Sequence, residues 1–277
     1  MNEMFIESIG VATPGMLNWE QARAVLSGEE GFLPGDFPRY KPQLLPANER
    51  RRATDMIRLA FNVCEQATES MPEERNQLAS IFSSSGGDYQ VIDQICRVLT
   101  QDERFVSPTQ FHNSVHNSAA GYWGIAAKSH KASTSLSACD NSFFAGLLEA
   151  SLQVLDEEKL LLACYETIPP VPLREACAIE MPFAAGFVFS STPTSRSMAK
   201  IEMELSYTDK GFGDNDRYKV TEMADKALEV LRLGNPAACA LPLLQAVVLL
   251  QKGSLSEIKV VIGGLGNQVL EVVVSQC

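Results

Sequence analysis

The stretch "STSLSACDNSFFAGLLEA", residues 133–150, decides how the chain is read. Ser133–Leu136 has the character of a short strand, and Phe143–Leu155 that of a helix. A thiol and a carboxylate, Cys139 and Asp140, stand side by side at the bend between them. Two readings of that bend are open. In the first, "DNS" is a helix N-cap, because Asp, Asn and Ser side chains accept bonds from free N–H groups there. A carboxylate at that end also meets the positive end of the helix dipole. In the second, the bend is a nucleophile elbow, where the same dipole lowers a thiol's pKa. An Asp at the apex of such an elbow would be a poor acyl-transfer nucleophile.

Strand-then-helix units recur on either side of this stretch. "MFIESIGVAT" alternates and is β-branched, as a strand should be. "NWEQARAVLSG" follows with helical spacing and a closing Gly28, and Gly31 to Pro46 reads as a surface loop. A single long helix is expected over "ERRRATDMIRLAFNVCEQATES", with Met56, Leu59, Ala60, Val63 and Ala67 on one stripe. "NQLASIFSSSGGD" is a strand ending in a small-residue turn, and "YQVIDQICRVLT" an amphipathic helix. "SVHNSAAGYWGIAAKS" is expected as a helix with a small-residue centre, Ser118 to Gly121. "KLLLACYE", "FAAGFVFSS" and "AKIEMELSYT" are expected strands. The stretch from Arg217 to Gly253 is mostly helical, interrupted at Gly234-Asn235-Pro236, and "IKVVIGGLGNQVLEVVV" is a hairpin. Strands alternating with helices imply an α/β domain whose mixed sheet is covered on both faces.

The bulk numbers exclude several classes. A chain of 277 residues can bury a full core without staples. The net charge of −11 cannot supply the counterion release that drives nucleic-acid binding. "NERRRATDMIR", residues 48–58, is the one basic cluster. Seven scattered cysteines without a CxxC pair form neither a disulfide framework nor a zinc site and fit a reducing cytoplasm. The N-terminus lacks a basic leader before an apolar run, and no run is long enough to span a bilayer, so a cytoplasmic protein is expected.

His112 and His116 in "QFHNSVH" are spaced to share one helix face, as metal ligands do. No Glu lies between them and no third ligand is evident, so no metal is expected and polar lining of a cavity or interface is the better reading. "GGLGN" has no following Lys-Ser or Lys-Thr, and it joins strand to strand; it is a hairpin turn rather than a phosphate loop. No cofactor is expected.

In order and wording, these pieces resemble the β-ketoacyl synthases of the thiolase fold over about residues 5 to 206. "IGVATPG" echoes the family's opening "GxGxxxP". The "SSSGG" turn at Ser83 to Gly87 stands where the family has a small-residue turn. "SPTQFHNSVHNSAAGYW" matches its "SP…N..AG" segment at Ser107, Pro108, Asn117, Ala120 and Gly121. "STSLSACDNS" then lies on the family's "S.S…AC.S" strand and elbow. Matching Ser133, Ser135 and Ser142 without a gap puts Asp140 where the nucleophilic Cys belongs; a shift of one residue restores Cys139 to the apex and spoils those matches.

The resemblance implies a thiolase-like layered α/β/α fold, with a nearly complete N-terminal half (1–206) and an abbreviated C-terminal half (207–277) packed as one compact unit. A working member needs two histidines, or a His and an Asn, from its C-terminal half to polarise the carbonyl. This sequence has no histidine after His130. "RLGNPAACALPLLQAVVLLQKG" resembles the family's histidine-bearing helix with Asn235 at the histidine's place, and the other histidine's segment is missing between about Tyr207 and Leu233. The oxyanion-hole Phe of the closing hairpin has Leu265 as its nearest counterpart. Groups that act as a unit lose nearly all their advantage when several are removed.

The chain is therefore similar to the chain-length-factor branch, as in aryl polyene and xanthomonadin-type pigment clusters. The implied role is a catalytically silent partner of a complete β-ketoacyl synthase, shaping its acyl tunnel. Ala132, Ser133, Ser135, Ser137 and Ala138 would belong to the strand that pairs across the two-fold interface. Phe111, His112, Asn113, Val115 and His116 would line or plug the tunnel end. Acyl carrier protein, itself acidic in this family, would dock mainly on the partner, with Arg50–Arg52 the local exception. The alternatives are a minimal active acyl-transfer enzyme using Cys139 and a homodimeric scaffold with no acyl chemistry.

Overall fold

A computed structural model of the chain describes residues 2–207, 219–253 and 255–277. The N-terminal elements are β1 Asn2–Ala12, α1 Trp19–Leu26, α2 Ala47–Arg52, α3 Asp55–Ala67, β2 Ala79–Ser83, α4 Tyr89–Leu99, α5 Pro108–Asn113 and α6 Ser118–Ala127. Then come β3 Ser133–Leu136, α7 Ser142–Glu157, β4 Lys159–Glu166, β5 Phe183–Ser190 and β6 Ala199–Tyr207. The chain closes with α8 Lys226–Gly234, α9 Leu241–Gln251, β7 Glu257–Gly263 and β8 Gln268–Ser275. Thr208, the end of one expected strand, and residues 217–218, which open the expected helical stretch, lie outside the described residues.

The described strands make one eight-stranded sheet in the order β3-β2-β4-β5-β1-β6-β8-β7. β2 runs parallel to both β3 and β4, and every other neighbouring pair is antiparallel. Strand β4 shows why both faces are covered. Leu161, Ala163 and Tyr165 meet α3 and α6 on one side, where Phe61 and Trp123 pack edge to face at 5.5 Å. Leu160, Leu162 and Cys164 belong to the opposite core, with Phe143 and Leu147 of α7 and Leu244 and Val247 of α9. A strand buried on both faces needs an unbroken apolar run, which "LLLACY", residues 160–165, supplies. The fold is the layered α/β/α arrangement implied by the resemblance, and the C-terminal strands extend the same sheet through the β1–β6 pair.

Helix α3 lies on the sheet at a spacing that only glycine permits. Gly10 and Gly186 face each other across β1 and β5. A Cβ on either would come within 2.5 or 2.7 Å of the Val63 carbonyl oxygen.

Two expected helices are each broken in two. The run from Glu49 to Ser70 stops at Ala53, whose ψ of 125° is extended, and Thr54 caps α3 by accepting from Ile57 N at 3.3 Å. Arg58 pairs two carbonyls at the break, donating to Ala53 O at 3.0 Å and to Arg50 O, and also reaches Tyr40 O in the preceding loop at 3.0 Å. The run around His116 is also split. Ser107 and Gln110 form a capping box that starts α5, α5 stops at Asn113, and α6 begins at Ser118. His116 therefore sits in the connecting turn, and it does not share a helix face with His112. No helix among the described residues is long and apolar enough to cross a membrane.

Candidate functional site

The corner after β3 is built from its own hydroxyls. The Ser137 hydroxyl donates to Ser85 O at 2.5 Å, tying the end of β3 to the turn after β2. Cys139 then takes a left-handed conformation, φ 50°, and begins a 3-10 turn that runs to Asn141. Left-handed backbone costs a non-glycine residue about 1–2 kcal/mol. The expected capping by Asp140 or Asn141 is not what closes the turn, for neither side chain bonds the first N–H groups of α7. Ser142 closes it instead: its hydroxyl donates to Cys139 O at 2.7 Å and accepts from Ala138 N at 3.1 Å. Of the two adjacent residues at the bend, the thiol-bearing one is the left-handed one, and both are exposed.

Behind the corner lies a buried carboxyl that the sequence reading took only as the end of a strand. Glu166, 1 % exposed, accepts from both the backbone N–H of Ser85 and, at 2.9 Å, its hydroxyl. Burial pushes its pKa up to about 7 against those two hydrogen bonds, and the charge of Asp140 adds to the rise. Its sequence signal is slight: one carboxylate closing an otherwise apolar strand. His116 Nε2 lies 3.2 Å from both the hydroxyl and the carbonyl oxygen of Ser84.

The C-terminal half reaches the same corner. The 3-10 turn Pro236–Ala240 touches the Cys139–Asn141 turn. Asn235, 1 % exposed, caps it: Oδ1 accepts from Ala237 N at 2.9 Å and Ala238 N at 3.3 Å. Its Nδ2 donates to Met181 O at 2.9 Å. Both ends of the amide are thus committed to main chain. The hairpin turn joining β7 and β8 packs on the start of α7, for a Cβ on Gly264 would come within 2.6 Å of the Phe144 ring; Leu265 beside it is exposed. Among the described residues, no hydrogen bond joins the Cys139 thiol to a histidine. A thiol nucleophile becomes a thiolate through such a base, a neighbouring cation or a helix N-terminus, and of these Cys139 stands only by the last, the start of α7.

Strand β3 ends the sheet with one side open. Ser80 N donates to Ala132 O and Ser84 N to Leu136 O, so the even-numbered residues address β2. The peptide groups of Ser133 and Ser135 consequently face the open edge. Ser135 Oγ and Gln153 Oε1 are buried there without a hydrogen-bond partner. A groove of about 550 Å³ lies between β3 and α6, walled by His116, Ala120, Gly121, Gly124, Ser133 and Ser135. Ala132 and Ala138 flank the strand, exposed and half-buried respectively. Phe111 and Val115 project outward, 69 % and 47 % exposed. His112 is exposed with its ring edge-on to Tyr122 at 5.7 Å. Asn113 turns inward, donating to Arg52 O at 2.9 Å and accepting from the Tyr122 hydroxyl at 3.2 Å.

The architecture has solved counterparts. The ketosynthase ApeO in complex with its chain length factor ApeC, from Xenorhabdus doucetiae, includes a chain 21% identical at a TM-score of 0.68, with 99% of each chain covered. The ishigamide ketosynthase/chain length factor aligns at 12% identity and TM-score 0.74, again over 99% of each chain. The complex AntDE:AntF, a type II PKS acyl-carrier protein with its ketosynthase, aligns at 10% identity and TM-score 0.77, over 100% of this chain and 99% of that one. No curated protein matches the sequence. The family model described as "Beta-ketoacyl synthase, N-terminal domain" matches residues 17–233, and with that span this chain belongs to the β-ketoacyl synthase family.

Proposed function

We propose that this chain is the catalytically silent half of a ketosynthase heterodimer. It pairs through β3 with a complete β-ketoacyl synthase and shapes that partner's acyl tunnel during chain elongation, as a chain length factor does. The observation that carries the proposal is the state of Asn235. At the place where the resemblance puts a catalytic histidine, its amide is spent on Met181 O and on the N–H groups of Ala237 and Ala238. An amide fixed in this way serves as a structural cap, and one N–H is all it could still offer a thioester carbonyl.

The open β3 edge, with its outward peptide groups, is what a pairing strand presents to a partner. Phe111 and Val115 are the exposed apolar side chains placed to enter a partner's cavity. A net charge of −11 opposes docking of an acidic carrier protein, which therefore binds mainly the partner. The solved complexes of ketosynthases with chain length factors are consistent with this division of labour.

A second reading rests on Cys139, the left-handed, exposed residue at the corner. In it the chain is a minimal acyl-transfer enzyme. Co-expression with a complete ketosynthase tests both readings. A 1:1 complex is expected, and Ser135→Pro, which removes an edge N–H while sparing the β2 ladder, should weaken it at least tenfold. A stable homodimer that never takes up a ketosynthase would contradict the proposal. Product lost on Cys139→Ala, with the complex still assembled, would favour the second reading.

A further inference from the structure

A second cavity, of about 670 Å³, opens in the helical layer of α3 and α6, between the 37–40 loop, the α2–α3 junction and α4. It shares no lining residue with the groove beside β3. Phe37, Tyr40, Leu59, Val91, Ile168 and Pro182 give it apolar walls. Such a volume and lining suit a small organic molecule.

Two polar features say what the molecule must carry. Asp88 lines the cavity and is 5 % exposed. One of its oxygens caps α4 by accepting from Val91 N at 3.1 Å, while the other, Oδ2, has no hydrogen-bond partner. The Thr54 hydroxyl and the Gln90 N–H also lie near the carboxyl, yet neither makes a hydrogen bond to Oδ2. A desolvated acceptor of this kind is satisfied by a donor that enters with a ligand.

The second feature is charge. Four arginines line the cavity, Arg39, Arg51, Arg52 and Arg58, against two carboxylates, Asp55 and Asp88. That is the reverse of the chain as a whole, which carries −11. Arg39 pairs with Asp55 at the exposed rim. Arg58 is 8 % exposed, and its guanidinium hydrogen bonds go to main-chain carbonyls of Ala53, Tyr40 and Arg50 and not to a carboxylate, although Asp55 acts on its charge alongside Arg39 and Arg50. An anion at the mouth would meet that field together with Arg51 and Arg52, whose forks suit a carboxylate or a phosphate.

We infer that this cavity binds a small amphiphilic organic anion bearing a hydroxyl or amide donor, with the donor on Asp88 Oδ2 and the anionic head at Arg51 and Arg52. The inference is independent of the heterodimer reading, because it rests on different residues.

Calorimetric titration of the full chain with 3-hydroxyoctanoate, octanoate and 1-octanol tests it, with octyl phosphate in a parallel arm to identify the preferred head group. 3-Hydroxyoctanoate should bind at least tenfold more tightly than octanoate, and octanoate more tightly than 1-octanol. Asp88→Asn keeps an acceptor for Val91 N and places a neutral donor where Oδ2 was; the hydroxyl loses its anionic acceptor, and the preference for the hydroxylated acid should fall. Arg51→Gln with Arg52→Gln changes two surface side chains that the core does not use. It should weaken both acids at least tenfold while leaving 1-octanol unchanged, and it decides the matter if Asp88→Asn does not fold. The inference is overturned if no anion gives saturable binding up to about 1 mM. It is equally overturned by an unchanged hydroxyl preference in a folded Asp88→Asn protein, or by acids that ignore the paired arginine change.

Discussion

Replacing Glu166 by Gln should change how stability depends on pH. The carboxyl is held 1 % exposed behind the corner, so ionising it in the folded state means charging a group that water barely reaches. Two hydrogen bonds from Ser85 soften that cost, and the Asp140 charge increases it. The result is a folded-state pKa of about 7 in place of 4.5. A displacement of that size corresponds to about 3 kcal/mol. The sign follows from the proton count, since between the two values the folded protein holds a proton that the unfolded chain has released. The stability contributed is present in full below about pH 4.5 and is lost as the pH rises through about 7. Gln keeps an oxygen for Ser85 N and offers an amide to the Ser85 hydroxyl, and it does not titrate. Urea denaturation of both proteins from pH 4.5 to 8.5 measures the difference in unfolding free energy. Relative to the variant, the parent should lose about 3 kcal/mol across that range, nearly all of it below pH 8. Taking the difference cancels the opposite contribution of Glu7. Burial alone would raise that carboxyl, but the hydroxyls of Thr194, Ser197 and Ser190 hold it below its ordinary value. A difference that stays flat with pH would refute the reasoning about Glu166.

Three further outcomes are expected. Asn235→Ala removes the cap on the Pro236–Ala240 turn and leaves Met181 O unmatched, and should cost about 2–4 kcal/mol in urea unfolding with no loss of acyl transfer to measure. Gly186→Ala forces a methyl to within 2.7 Å of the Val63 carbonyl, and should lower stability by about 1–3 kcal/mol, read as a shifted urea midpoint at unchanged slope. Val115→Trp, in the reconstituted pair, should shorten the product by at least one elongation step on mass spectrometry. Unchanged product length across bulky substitutions at Val115 and His112 would count against their place in the tunnel.

How much of this was legible in the sequence depended on the range of the interaction responsible. Strand β4 could be bounded at Lys159 and Glu166 because a strand covered on both faces needs every residue apolar, and the run simply ends there. Strand β3 and the onset of α7 were similarly local. The break at Ala53 was hidden, since its helical stripe continues across the gap and the gap is held open by Arg58 reaching back to three carbonyls. His112 and His116 looked like helix neighbours because spacing does not reveal that α5 stops at Asn113. At the corner, gap-free residue matching puts Asp140 at the apex, whereas the left-handed backbone falls on Cys139, a feature that no residue pattern encodes. The Glu166–Ser85 contact joins residues 81 apart, brought together because β2 and β4 run side by side in parallel. Asp88 closes the small-residue turn of "NQLASIFSSSGGD" in the sequence, and its orphaned second oxygen depends on packing that no local pattern encodes.

The central claim, that a condensing-enzyme frame persists here without working machinery, is tested most directly by acyl loading. The purified chain, alone and paired with a complete ketosynthase, would be exposed to radiolabelled acyl thioesters and resolved by denaturing electrophoresis. The account predicts label on the ketosynthase and none on this chain in either condition. Hydroxylamine-sensitive label on this chain, abolished by Cys139→Ala, would contradict it.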